Sequence, residues 1–156
     1  MSDTGLREVD NAAGLLAKEY QSRPGSVVAP VFQGSRCLLV ELQALAATGV
    51  LGAAKRKVSN LDSNRLAVLV AVLEKHAGLR LADQDVFVSS VGGIKVVEPA
   101  ADLALLLAIG GAYQNRAMQQ GTCAIGEVGL GGEIRRVSQI EQRMHEAARL
   151  GFTRII

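Results

Sequence analysis

Val91-Gly92-Gly93-Ile94-Lys95-Val96-Val97-Glu98-Pro99-Ala100-Ala101-Asp102-Leu103-Ala104-Leu105-Leu106-Leu107 is the stretch whose reading decides the fold. It runs from the end of a strand, through a turn, into a helix that belongs inside the protein. Glu98 and Pro99 stand where that helix should begin, because proline at the first helical position lacks only an N–H that would have no intrahelical partner. Asp102 adds a negative charge in the first turn, where the helix dipole favours it. From Ala100 to Ile109 every residue except Asp102 is apolar, so the helix is predicted to thread the core without a solvent face. The run falls short of the ~20 apolar residues that cross a bilayer.

Upstream of it, Ser26 to Phe32, a turn at Gln33-Gly34, and Cys37 to Gln43 continuing towards Ala47 read as a hairpin. A helix follows, capped by Asp62 or Ser63 and closed by Gly78, with Leu66, Leu69, Val70, Leu73 and Ala77 at helical spacing. Ala67, Val68, Ala71 and Val72 widen its apolar arc, which predicts cover by a sheet and by a neighbouring subunit. His76 suits the exposed C-terminal end of this helix. Asp83 to Val88 opens a strand that runs to Val91.

Downstream, the Gly110-Gly111 pair should weaken the end of the buried helix, and the polar run Gln114 to Gly121 carries Arg116. Thr122 to Val128 is predicted as a strand, Gly131-Gly132 as a two-residue turn, and Glu133 to Val137 as the returning strand. Ser138 can cap a last helix whose stripe is Ile140, Met144, Ala147 and Ala148, with Glu141, His145 and Arg149 on its wetter side. Thr153 to Ile156 ends in strand-like sequence, as an excised domain would.

At 156 residues the chain suits one domain burying about two thirds of its unfolded surface. Aromatics are 3% and tryptophan is absent, so the core must be aliphatic. A net charge of +2 permits a polyanionic partner without requiring one. Cys37 and Cys123 lie far apart without CxxC spacing or nearby histidine, which argues against a disulfide framework or a metal site. With no leader or membrane run visible, the expected compartment is the cytoplasm. Residues 1–24 read as a tether, with a short helix possible over Ala12 to Tyr20, and Pro24-Gly25 marks the start of a compact domain over 25–156.

Lys55, Arg56 and Lys57 are the strongest local field in the chain, with no acidic residue between Glu41 and Asp62. Phosphates would feel it, although such a cluster also suits a solvated turn. Arg135 and Arg136 form a second basic pair, and adjacent strand residues point to opposite faces, so one of the two at most shares a given surface. Ser89 and Ser90 near Lys95 are nucleophile candidates only if the lysine is buried, and they read as strand residues. The glycine-rich run at 126–132 has no Gly-Lys-Ser/Thr and reads as turn chemistry rather than a phosphate cradle.

Two resemblances follow from these motifs. Pro99-Ala100-Ala101-Asp102 resembles, distantly, the Pro-Ser-Ala-Gly of Lon proteolytic domains, with Ala100 in place of the nucleophilic serine. Aligned from Gly126-Glu127, the Lon lysine falls on Glu141, or on Arg143 with a slip of two residues. Neither is a lysine general base. More closely, nearly the whole chain resembles the C-terminal, Lon-like domain of the bacterial RadA (Sms) family. Leu38-Leu39-Val40-Glu41-Leu42-Gln43-Ala44-Leu45 matches that family's Leu-Leu-Val-Glu-Xaa-Gln-Ala-Leu. Asn64-Arg65-Leu66 and Ala71-Val72-Leu73 match two shorter segments. Gly126-Glu127-Val128-Gly129-Leu130-Gly131-Gly132-Glu133-Ile134-Arg135 matches Gly-Glu-Val-Gly-Leu-Xaa-Gly-Glu-Ile-Arg almost throughout.

The resemblance implies an α+β, two-layer, Lon-like fold with a mixed sheet and flanking helices. It implies a domain without proteolytic activity, without a cofactor or metal of its own, whose degenerate dyad positions are Ala100 and Glu141. Its partners would be other copies in a hexameric ring, single-stranded or branched DNA, and an upstream ATPase domain. That ATPase, which powers branch migration in recombinational repair, and an upstream zinc finger are not in this sequence. Lys55, Arg56 and Lys57, with Arg135 and Arg136 second, are the expected DNA contacts. Two other readings stand beside it: a peptidase with an unrecognised nucleophile, and an oligomerisation module that never touches DNA.

Overall fold

The computed structural model describes residues 19–156. All but the last two residues of the suggested helix over Ala12 to Tyr20, and residues 1–18 of the tether, lie outside the described residues. Tyr20 is already packed, its ring against Phe152 and its hydroxyl donating to the Ser26 carbonyl at 3.0 Å. Packing against the domain thus already includes Tyr20, ahead of Pro24-Gly25. Gly25 then starts the first strand at φ +83°, with the Ala44 carbonyl so close that a Cβ would collide with it.

Strand β1 is Ser26–Gln33, β2 Arg36–Thr48, β3 Arg56–Ser59 and β4 Gln84–Ser90; β5 is Thr122–Cys123 and β8 Arg154–Ile155. These make one six-stranded sheet in the order β3-β4-β2-β1-β5-β8. The β1–β2 and β2–β4 pairs are antiparallel, and the β3–β4, β1–β5 and β5–β8 pairs are parallel. Gln33 pairs with Arg36, which makes Gly34-Ser35 the hairpin turn, one position later than predicted. Helices α1 (Ser63–His76), α2 (Asp102–Gln114) and α3 (Ile140–Arg149) complete the α+β architecture, with a small separate sheet of β6 (Glu127–Val128) and β7 (Ile134–Arg135).

Helices α1 and α2 cover one face of the large sheet. Val27, Ala29 and Val31 of β1, Val40 and Leu42 of β2, and Val86 and Val88 of β4 meet Leu66, Leu69, Leu73, Ala104, Ala108 and Ile109 there. On the opposite face Val28, Cys123 and Leu39 meet Ala147 of α3, Phe152 and Tyr20. The two-layer expectation therefore describes the β4–β3 end, and α3 adds a third layer over β1 and the first part of β2. Cys123, sealed there, has its thiol pushed up to about 11 by burial.

Several elements depart from the sequence reading for local reasons. Pro99–Ala101 form a 3-10 turn before α2 begins at Asp102. Leu106 and Leu107 are only half-buried, so α2 is not enclosed all round. The glycine pair does not end α2, which runs on to a left-handed Asn115. Gly111 instead admits the Arg116 carbonyl, which a Cβ would meet at 2.7 Å. The strand predicted over Thr122 to Val128 breaks into β5 and β6, because Gly126 leaves the large sheet and exchanges hydrogen bonds with Ala100 and Leu103. The β6–β7 turn is wider than two residues: Gly129 is bonded to Glu133, and Gly132 takes φ +79°. Asp62 does cap α1, accepting from Asn64 N at 2.9 Å, and Gly78 follows it in the left-handed region. On the outer arc of α1, Val72 is buried within the chain while Ala67 and Ala71 are exposed.

Candidate nucleic-acid interface

The basic stretch is not a loop but the edge strand β3 with its approach. Lys55 is exposed, its backbone N–H held by Asp85 Oδ1 at 2.7 Å. Along β3, Arg56 and Val58 turn towards the helices and Lys57 and Ser59 turn away, as strand alternation requires. Arg56 is therefore drawn into the body of the protein. Its guanidinium donates to the carbonyls of Leu81 at 2.8 Å and Lys55 at 3.2 Å, and also to that of Gln84. Arg56 brackets β3 to the turn before β4, its guanidinium engaged by carbonyls within the chain. Lys57 is exposed, and neither its ammonium nor that of Lys55 has a side-chain partner among the described residues.

Arg135 and Arg136 stand elsewhere, on the small β6–β7 sheet, and both are exposed. Arg135 pairs with Glu133 at 2.9 Å. Backbone hydrogen bonds and this arginine hold the Glu133 carboxyl below its ordinary value. Much of the Arg135 charge is thus answered locally, and Arg136 is the freer cation of the two. No hydrogen bond or ion pair among the described residues joins this pair to the β3 cations.

The hairpin is fixed by a clasp that the sequence reading did not identify. Asp102, only 3% exposed, takes two hydrogen bonds from Arg65 of α1, one of them Nε to Oδ1 at 2.8 Å. The same carboxylate accepts Val128 N at 3.1 Å, while Arg65 donates to Val128 O at 2.6 Å. One ion pair therefore grips both backbone groups of a β6 residue and ties α1, α2 and the hairpin together. The hydrogen bonds that Arg65 donates to Asp102, opposed by burial, raise its guanidinium above its ordinary value. The signal was present: a lone acid in an apolar helix needs a partner when buried. His76 Nε2 lies 3.0 Å from Leu130 O and braces the hairpin tip.

A second buried pair closes the junction where a protease would keep its nucleophile. Ala100 is buried, and its carbonyl accepts Gly126 N at 3.0 Å. Glu98 takes both arms of Arg143, at 2.5 and 2.9 Å, and accepts Phe32 N at 2.7 Å. Arg143 also donates to Pro30 O and Ser138 O, lies 4.7 Å over the Phe32 ring, and is itself 1% exposed. Burial alone would raise the Glu98 carboxyl, but the arginine fork and the Phe32 N–H outweigh it and hold it below the ordinary range. The predicted stripe on α3 is corrected accordingly: Arg143 and Ala147 form the buried side, Met144 is 45% exposed and Ala148 is exposed. Glu141 is exposed on the outer side, so Arg143 is the α3 residue that reaches the junction. Ser90 is buried and donates to Ile94 O, whereas Lys95 is exposed, so these two do not form a buried Ser–Lys pair.

An α+β domain on a mixed six-stranded sheet, its helix entry closed by two arginine–carboxylate pairs and its outer edges basic, is the class these observations define. No family model matches the chain. The chain is 48% identical over 157 residues to DNA repair protein RadA of Haemophilus influenzae, an alignment covering 100% of this chain and 34% of that protein. The figures for the Escherichia coli RadA are the same, 48%, 100% and 34%. DNA repair protein RadA of Listeria monocytogenes is 44% identical over 156 residues, with 99% of this chain and 34% of the relative covered. Identity at this level along its whole length makes the chain homologous to a domain of RadA, and it spans about a third of those relatives. Among the described residues no helix is long and apolar enough to cross a membrane.

Proposed function

We propose that this is the non-proteolytic, Lon-like domain of a cytoplasmic RadA-type DNA repair and recombination protein. It serves as a DNA-binding and ring-assembly scaffold for an ATP-driven branch-migration motor located elsewhere in such a protein. The observation that carries this reading is the 44–48% identity to proteins named DNA repair protein RadA along the whole chain. The loss of proteolysis is supported by Ala100 at the nucleophile position, by Glu141 facing solvent, and by Arg143 tied to Glu98. DNA contact is supported by Lys55, Lys57 and Arg136, three exposed cations without a side-chain partner among the described residues. Arg135 contributes less because Glu133 answers it. Assembly is supported by large apolar side chains left exposed on and beside the hairpin: Leu130 at 78%, Ile134 at 52% and Val97 at 72%.

The reading is tested with a fluorescently labelled single-stranded oligonucleotide titrated by anisotropy against the parent, Lys55→Glu/Lys57→Glu and Arg135→Glu/Arg136→Glu, with molar mass from light scattering. The expected result is salt-dependent binding by the parent, loss in the first variant, partial loss in the second, and unchanged mass in both. A parent that forms a ring yet retains no oligonucleotide at low salt would show an assembly module instead. Labelling by a serine-reactive phosphonate would support the peptidase.

A further inference from the structure

The part of the second sheet face that α3 leaves open, over β3, β4 and the end of β2, is organised in rows. The register across β3, β4 and β2 aligns Lys57 with Phe87 and Phe87 with Leu45; the next outward row aligns Ser59 with Ser89 and Ser89 with Gln43. Directly paired residues point to the same side. Since Val86, Val88 and Ser90 are buried towards the helices, Phe87 and Ser89 must face the other way. A cation, an aromatic ring and an aliphatic side chain thus lie in line, beside a line of two hydroxyls and an amide. Together with Arg23 they border a cleft of about 600 Å³, within the ~300–1,000 Å³ of clefts that accept small ligands.

The lining includes Arg23 and Lys57 and no carboxylate. The acids that flank it on the same face are engaged: Asp85 by Lys55 N–H at 2.7 Å, and Glu41 by Ser26 Oγ at 2.7 Å, Gln43 Nε2 at 2.9 Å and Arg23 at 3.4 Å. Arg23 is therefore shared with Glu41, and Lys57 is the cation of the cleft without a side-chain partner among the described residues. A duplex keeps its bases stacked inside and offers nothing to a half-buried ring at the bottom of a cleft.

Resting on the DNA-binding reading above, we propose that this open face is the single-strand platform of the domain. Phe87 stacks a base, Lys57 takes a flanking phosphate, with Arg23 second because Glu41 holds it, and Ser59 and Ser89 hydrogen-bond base edges or sugar. Aromatic rings on a cationic surface bind single strands with little regard to sequence, because every base has a π-face. The proposal moves the site from the crest of the basic stretch, where Arg56 is occupied, to the sheet surface beside it. It also assigns a preference for unpaired DNA.

The test titrates labelled oligothymidylate and a duplex of equal length against the parent, Phe87→Ala, Phe87→Trp and Ser59→Asp/Ser89→Asp, with molar mass measured in parallel. The expected result is a parent that favours the single strand. Phe87→Ala should weaken it by roughly tenfold or more, the order of one base stack, and Phe87→Trp should retain binding. The double aspartate variant should abolish single-strand binding at unchanged mass, with its thermal midpoint measured beside it because Ser59 and Ser89 are directly paired and Ser89 is half-buried. If Lys57→Glu weakens binding while Phe87→Ala and the aspartate pair leave it intact, DNA binding stands and the platform is wrong. A change of molar mass in the aspartate variant would instead mark the face as an interface between copies and overturn the proposal. A parent that binds neither DNA would sink the DNA-binding reading itself.

Discussion

The two ends of the sheet obey different rules. In β1, Ser26 through Val31 are buried without a break, whereas in β4 burial alternates and in β3 every second residue is exposed. Continuous burial means cover on both faces, and alternation means that one face is open. At the closed end an arginine, Arg143, is turned inward and consumed by Glu98, two carbonyls and a ring. At the open end Lys57 points outward beside Phe87. Cationic residues of similar appearance in the sequence thus divide into those that hold the fold and those free to meet a ligand. What separates them is whether the side chain turns into the packed body, as Arg143 and Arg56 do, or onto the open face, as Lys57 does.

The largest effect should come from the closed end. Arg143→Ala leaves Glu98 without its partner and Pro30 O without a donor, and breaking a buried pair costs about 3–5 kcal/mol. Urea denaturation should register that loss, and a cost below 1 kcal/mol would mean that the closed end is not closed. Next comes Asp102→Asn, which deprives the Arg65 clasp of its charge and should cost ~1–3 kcal/mol. Its sharper signature is local. The Val128 amide should lose hydrogen-exchange protection before the amides of β1, because the clasp holds the hairpin and not the large sheet.

The acid limb of stability gives a third comparison. The Glu98 carboxyl is held below its ordinary value of 4.5 in the folded state. The unfolded chain therefore takes up the proton first, and the stabilisation is full above about 4.5 and declines as pH falls through the lower folded value. Glu98→Gln should flatten the loss of stability below that pH. An identical acid profile in parent and variant would contradict the assignment. The smallest effect belongs to the open end: Lys57→Glu should shift stability by less than ~0.5 kcal/mol, the usual range for surface substitutions.

Much of this division was legible in the sequence and part of it was not. The apolar run of Ser26 to Phe32 and the alternating Asp85-Val86-Phe87-Val88 already carried the difference between a doubly and a singly covered strand. Asp62 and Gly78 gave the ends of α1 because caps are local chemistry. The stripe of α3 was misread because Met144 looks like core and Arg143 does not. A buried arginine is stable only through Glu98, Pro30 and Phe32, all remote in sequence, so no periodicity could reveal it. The same holds for Arg56, whose acceptors lie in the turn before β4, and for the Arg65 partner of Asp102. Lys55, Lys57 and Arg136 were placed correctly at the surface, but only the register shows that Lys57 shares its face with Phe87 and Ser89.

The most direct measurement of the division is the salt dependence of oligonucleotide binding in Lys57→Gln and Arg56→Gln, each paired with its thermal midpoint. The account predicts that Lys57→Gln lowers the slope of log Kobs against log salt by ~0.7, the share of one phosphate contact on a single strand, and leaves the midpoint in place. Arg56→Gln should lower the midpoint and keep the slope. The opposite assignment, a flattened slope in Arg56→Gln with full stability, would show that the inward arginine reaches phosphate and that the division between holding and binding cations is wrong.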